Sequence, residues 1–163
     1  MAYGKLPISL LLAGASLACS LSTPARGAER ARTTNHVDAN FGQLNSLTDV
    51  SLAQTLCVFS SSPSGIYNVV ALGSGTGGSF KLVSSSSTLD YHVQWASEPN
   101  RSSGVELQAG IASQQFSSIA TQQSCNSGPP ASATLILRLN GSETANAQAG
   151  AYTGVLLITI APG

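Results

Sequence analysis

The two histidines are the residues with the widest range of catalytic and metal-binding chemistry in this chain. His36 and His92 are the full complement, and Asp90 lies two positions before His92, so a nearby serine would complete a Ser-His-Asp set. The sequence has no Gly-x-Ser-x-Gly turn to present such a serine and no close cysteine or carboxylate cluster for zinc. We therefore interpret Asp90 and His92 as solvent-facing positions and predict no metal site.

A glycine-rich segment and three carboxylates are the other candidates for chemistry. Residues 73–78 (GSGTGG) fit Gly-x-Gly-x-x-Gly, but that motif must open a helix that receives the pyrophosphate, and an extended Ser-Phe-Lys-Leu-Val run follows here. We interpret the segment as a flexible loop. Asp90, Glu98 and Glu106 are too scattered to indicate a glycosidase pair. The sequence predicts no enzyme and no cofactor.

The cysteines depend on how the chain is processed. If Cys19 is removed with a signal peptide, Cys57 and Cys125 remain. An even number of cysteines in an oxidising compartment predicts a disulfide. Two free thiols are the alternative.

The N-terminus has the features of a secretory signal. Lys5 precedes an apolar stretch over residues 8–18, and small residues follow it, which is typical of a removable signal peptide. We predict a signal over residues 1–27 with cleavage before Ala28, then an N-terminal arm over 28–39. Cleavage before Leu21 and lipidation of Cys19 are the alternatives. No later apolar run predicts stable membrane insertion.

The charge of the mature chain excludes one class of partner. Cleavage before Ala28 leaves five basic and seven acidic side chains, and 9% of the whole chain is charged. Nucleic-acid binding needs a clustered basic surface. We therefore expect an exported protein that does not bind nucleic acid.

Short alternating segments dominate residues 40–163. Residues 89–95 place Leu89, Tyr91, Val93 and Trp95 on one face, and residues 105–111 repeat that period, so each predicts a half-buried strand. Further strands are predicted at 50–59, 66–72, 80–83, 116–121, 133–139 and 152–160. The last is apolar on both faces, which favours a central position or a partner. About eight short strands separated by turn residues predict one β-sandwich domain.

Several segments resemble the spore-coat-U-like domain family, which includes subunits of archaic chaperone-usher pili. The matching features are Phe41-Gly42, Cys57, the segment IYNV at 66–69, LDYHVQW at 89–95 and AGAYTGVLLITI at 149–160. The family usually has a cysteine shortly before the Phe-Gly position, and this chain lacks it.

The resemblance implies an immunoglobulin-like (pilin-type) β-sandwich that lacks its final strand. A periplasmic chaperone would fill the resulting groove first, an usher would mediate assembly, and a neighbouring pilus subunit would then donate a strand. The residues implied to line the groove are Tyr152, Val155, Leu157, Ile158 and Ile160. The chain would reach the periplasm and then the cell surface as a structural or adhesive fibre subunit.

The arm at 28–39 is a poor candidate for a donated strand, because Arg30, Arg32, Asn35 and Asp38 interrupt any apolar alternation. We therefore expect a subunit that accepts a strand but donates one badly, as a tip or minor subunit would. We interpret Trp95 as a core anchor or a cap at the edge of the sandwich. The alternative function is a self-contained secreted binding module, for example for carbohydrate, with Trp95 and the loop at 97–104 as its contact surface.

Overall fold

A computed structural model describes residues 29–44, 48–85 and 87–163. The signal peptide predicted at 1–27 lies outside these residues. Ten β-strands, one short helix and two 3-10 turns form the described chain. In order they are β1 Ala31–Thr34, β2 Val50–Ser60, a 3-10 turn Pro63–Gly65, β3 Ile66–Gly73, a 3-10 turn Thr76–Gly78, β4 Lys81–Val83, β5 Thr88–Asp90, β6 His92–Ala96, β7 Val105–Glu106, β8 Phe116–Ser117, β9 Ala133–Leu139, α1 Gly141–Ala145 and β10 Leu156–Pro162.

The strands form two main antiparallel sheets. Sheet one has the order β1-β2-β9-β6-β7, sheet two has the order β10-β3-β8, and β4 pairs separately with β5. The long strand β2 passes into β3 through the turn at 61–65, so that β2 and β3 lie in different sheets. The predicted all-β sandwich is confirmed.

The core lies between the two sheets and follows the two-residue period of the strands. Inward side chains of β2, β3, β6 and β9 form one buried cluster with Leu89, Tyr91 and Leu107. Leu89, Tyr91, Val93 and Trp95 are all buried, as their alternation predicts. Tyr91 separates this stretch into two strands, β5 and β6, which pair with β4 and β9.

The strand predicted at 105–111 is wrong beyond Glu106. Val105 pairs with Trp95 in sheet one, whereas Ala109 forms a bridge with Ala71 in sheet two. The chain therefore crosses from one sheet to the other within this segment, and Gly110 makes the turn at a φ of +75°. Ile111, expected on the buried face, is 56% exposed as a result.

Cys57 and Cys125 form the predicted disulfide, with their Cα atoms 5.9 Å apart. Cys57 lies in β2 and Cys125 in the segment that follows β8. Both cysteines are buried. The bond therefore attaches the long connection between β8 and β9 to strand β2 of sheet one.

Candidate functional site

Strand β10 forms an open edge of sheet two. It pairs antiparallel with β3 from Leu156 opposite Gly73 to Pro162 opposite Tyr67, and no strand within the described residues pairs with its other side. An edge of this kind presents backbone groups to an added strand.

The hydrogen-bonding phase of β10 shows which groups face the open side. Gly163 lies opposite Ile66 and donates its backbone N–H to the Ile66 carbonyl at 3.0 Å. Opposite residues of an antiparallel pair alternate between exchanging two hydrogen bonds and exchanging none, so every second residue of β10 before Gly163 bonds to β3. On the other side of β3, the carbonyls of Val69 and Ala71 accept from Ser113 and Gly110, as this alternation requires. The N–H and C=O groups of Leu156, Ile158 and Ile160 therefore point away from β3.

The same three residues have side chains that face the core. Leu156, Ile158 and Ile160 are half-buried and pack against the buried cluster. The alternate residues Leu157, Thr159 and Ala161 are exposed on the outer face. The open backbone edge and an incompletely covered stretch of core therefore coincide.

The five residues predicted to line the groove divide into three groups. Ile158 and Ile160 lie in β10 and face the core, and Tyr152 packs against the core from the segment before the strand. Val155 precedes β10 and Leu157 points outward, and they are 69% and 57% exposed. Leu156, which faces the core, was not predicted. The strand predicted at 152–160 lies instead at Leu156–Pro162.

Strand β1 lies beside this edge, in a segment that the sequence interpretation treated as an arm outside the sandwich. It pairs with β2, from Ala31 opposite Ser60 to Thr34 opposite Cys57. Cα atoms of β1 and β10 approach within 8 Å, although the two strands share no ladder. The hydroxyls of Thr33 and Thr34 are buried and have no hydrogen-bond partner. Among the residues that the structure describes, β1 and β10 are the edge strands of their sheets on this side.

A cavity extends along the inner face of sheet one behind β1. It measures about 540 Å³ and lies between residues 35–40 and the strands β2 and β9, with Leu52, Leu135 and Leu137 among its lining side chains. Gln54 donates to the Val37 carbonyl at 2.9 Å and holds the covering segment in place. The side of the sandwich that carries β1 therefore has incompletely filled core.

The strand order shows which strand of an immunoglobulin domain would occupy the open edge. A seven-stranded immunoglobulin domain has the sheets ABED and CFG. Strands β1, β2, β9 and β6 correspond to A, B, E and D, whereas β3 and β10 correspond to C and F. Strand G of such a domain would pair with F, which is the open side of β10. The described chain places no strand there.

The other candidate residues lie on the surface in ion pairs and hydrogen bonds. Asp90 forms an ion pair with Lys81, and His92 lies between Glu106 at 3.0 Å and Asn140 at 3.1 Å on an exposed surface. The described residues contain no group of three or more potential metal ligands from His, Cys, Asp and Glu. They also contain no helix that is long and apolar enough to cross a membrane.

Trp95 is confirmed as the core anchor favoured from the sequence, and it does not offer the contact surface of the alternative function. Its side chain is fully buried, and the indole N–H donates to the Tyr67 hydroxyl at 3.1 Å. The Trp95 ring contacts Tyr67 edge-on, and Tyr67 in turn packs against Phe116 at 5.8 Å between ring centroids. Burial raises the pKa of Tyr67 to about 12, against a smaller opposite effect of the Trp95 hydrogen bond. Trp95 is therefore a core residue.

Comparison with known proteins places the fold among those of fimbrial assemblies. The chain is similar to a chain in the solved structure of a chaperone-tip adhesin complex described as vital for synergistic activation of CFA/I fimbriae biogenesis, with a TM-score of 0.52 and 19% sequence identity. The match covers 83% of this chain and 41% of that one, so the chain spans less than half of the length of its structural neighbour. No protein-family model and no curated protein matches the sequence.

Proposed function

We propose that this chain is a structural or adhesive subunit of a surface fibre (pilus) and that it is assembled by accepting a β-strand from another polypeptide. The observation that carries the proposal is the coincidence at β10 of outward-facing backbone groups with half-buried core side chains at Leu156, Ile158 and Ile160. An added strand would gain backbone hydrogen bonds there and place alternate side chains on the core.

The open edge also needs protection before assembly. An apolar edge strand with free N–H and C=O groups is a template for aggregation. A periplasmic chaperone that covers β10 would prevent this, and an usher would then exchange the chaperone for a neighbouring subunit. In this proposal the chain is exported to the periplasm and then the cell surface, and it catalyses no reaction. The motif resemblance to spore-coat-U-like domains and the similarity to a chain of a fimbrial complex support it.

Strand β1 supports a position at the end of a fibre. A donated strand must come from chain that is free of its own fold. Residues 31–34 are hydrogen-bonded to β2, and cleavage before Ala28 would leave three residues ahead of β1. The subunit would then accept a strand without donating one, as a tip or minor subunit does.

The test is a self-complemented chain. A flexible linker and a strand of alternating valine and threonine are added after Gly163, and the product is compared with the natural chain after export. We expect the added strand to convert an aggregating product into a soluble monomer. Ile158→Asp should abolish this rescue because it places a charge on the inner face of β10, whereas the matched Thr159→Asp on the outer face should retain it. A natural chain that is already a stable monomer and gains nothing from the added strand would overturn the proposal.

A further inference from the structure

A polar cleft lies on the opposite lateral side of the sandwich from β1 and β10. It measures about 510 Å³, and residues 95–98, 101, 103–105 and 114–117 line it. These residues bring together the β6-β7 edge of sheet one and strand β8 at the edge of sheet two. The volume is within the range of small-molecule sites.

Hydrogen bonds to sheet one hold the first wall of the cleft, the loop at 97–104. The Thr134 hydroxyl donates to the Glu98 carbonyl at 2.7 Å and accepts from the Arg101 backbone N–H at 3.2 Å. Gly104 packs directly on β6, where a Cβ atom would collide with the Trp95 carbonyl oxygen. The loop therefore has a fixed path.

Hydrogen bonds to sheet two hold the second wall, at 113–117. The Asn68 side chain donates to the Ser113 carbonyl at 2.7 Å. Ser113 in turn donates its backbone N–H to the Val69 carbonyl at 2.9 Å. Because each wall is tied to a different sheet, the sandwich itself sets the width of the cleft, and the site is formed before any ligand arrives.

The chemistry of the lining is polar and neutral. Arg101 and Glu98 form an ion pair with each other and are the charged side chains of the lining. The side chains of Ser97, Ser103 and Gln114 also line the cleft, and the described residues provide none of them with a hydrogen-bond partner.

Amide and hydroxyl groups both donate and accept hydrogen bonds, as sugar hydroxyls do. Val105, which is 37% exposed, adds an apolar surface beside them, which the C–H face of a sugar ring would contact.

We propose that this cleft binds a neutral saccharide of one or two rings. The site differs from the carbohydrate surface expected from the sequence, because Trp95 is buried and the free polar groups come from both loops, with Gln114 on the second. The cleft lies away from β10, so a strand added at the open edge would leave it accessible. A fibre subunit could therefore bind a sugar on one side while it is assembled through the other.

The test measures binding of maltose, lactose and N-acetylglucosamine to the full exported chain by NMR chemical-shift titration. We expect at least one of them to bind with a Kd on the order of millimolar and to shift the side-chain amide signals of Gln114. The double substitution Ser103→Ala and Gln114→Ala, which removes one polar group from each wall, should weaken binding at least about tenfold, a loss of roughly 1.4 kcal/mol.

The matched control is Gln108→Ala, because Gln108 is exposed and lies outside the cleft. It should leave binding unchanged. The self-complemented chain should bind the sugar as tightly as the natural chain, which separates this proposal from the strand-acceptor function. Absence of binding by all three sugars, or equal binding by the double variant, would overturn the saccharide site whatever the outcome at β10.

Discussion

The two lateral sides of this sandwich differ in whether another segment of the chain covers the backbone of sheet two. On the β8 side, residues 109–113 continue along β3 and hydrogen-bond to Val69 and Ala71, so the backbone of β3 is satisfied. On the β10 side, the described chain supplies no such segment beside Leu156, Ile158 and Ile160. The closed side also has the packed rings of Tyr67, Trp95 and Phe116. A sheet edge is therefore covered here only where another segment of the chain folds back along it. The sequence of the edge strand alone does not decide whether the edge is covered.

Amide exchange gives the largest expected contrast between the two sides. In the isolated subunit the amides of Leu157, Thr159 and Ala161, which bond to β3, should exchange about 10⁴-fold more slowly than those of Leu156, Ile158 and Ile160, since a core strand opens at a cost near the global free energy of unfolding. Hydrogen exchange followed by NMR measures this directly. In the self-complemented chain all six amides should be protected. If all six amides are equally protected in the natural chain, without an added strand, the edge is already closed.

The disulfide is the next test, because it anchors the connection that follows β8. Its cysteines are separated by 68 positions, and a loop of this length is worth about 4 kcal/mol in the chain-entropy model. Replacing Cys57 and Cys125 together by alanine should lower the free energy of unfolding by about that amount in urea titrations. The amides of Ser113 and Ser118 should also exchange faster in the double variant. An unchanged urea midpoint would show that the closed side does not depend on the bond.

The inward set of β6 could be predicted from sequence, because one face of 89–95 is apolar and the other is polar. Strand β10 lacks this contrast. Val155, Leu156, Leu157 and Ile158 are all aliphatic, so the sequence does not tell which parity faces the core. Pairing with β3 decides it, and this is why Leu156 was missed and Leu157 misplaced.

Strand β1 and the cleft were beyond sequence reasoning for a related physical cause. Residues 31–34 (ARTT) carry no apolar period, and they form a strand because β2 offers a backbone edge, to which any side chain can be added. Gln114 is an ordinary surface residue in sequence. It gains a candidate role from its position opposite Ser97 and Ser103, which only the crossing of the chain between sheets establishes.

Alkaline pH should lower the free energy of unfolding, and this is the smallest of the expected effects. Burial raises the pKa of Tyr67 to about 12 from its ordinary value of 10.0. The folded protein therefore keeps the phenol proton between these values while the unfolded chain loses it. The contribution of this group to stability is intact below pH 10 and falls as the pH rises toward 12, by at most about 2.7 kcal/mol. Urea titrations at several pH values between 9 and 11.5 measure the fall.

The variant Tyr67→Phe is the control for this prediction. Burial also raises the pKa of Tyr91, so Tyr67→Phe should reduce the slope of the free energy of unfolding against pH without abolishing it. An unchanged slope in Tyr67→Phe would show that burial of the Tyr67 hydroxyl does not make the stability of the fold depend on pH in this range.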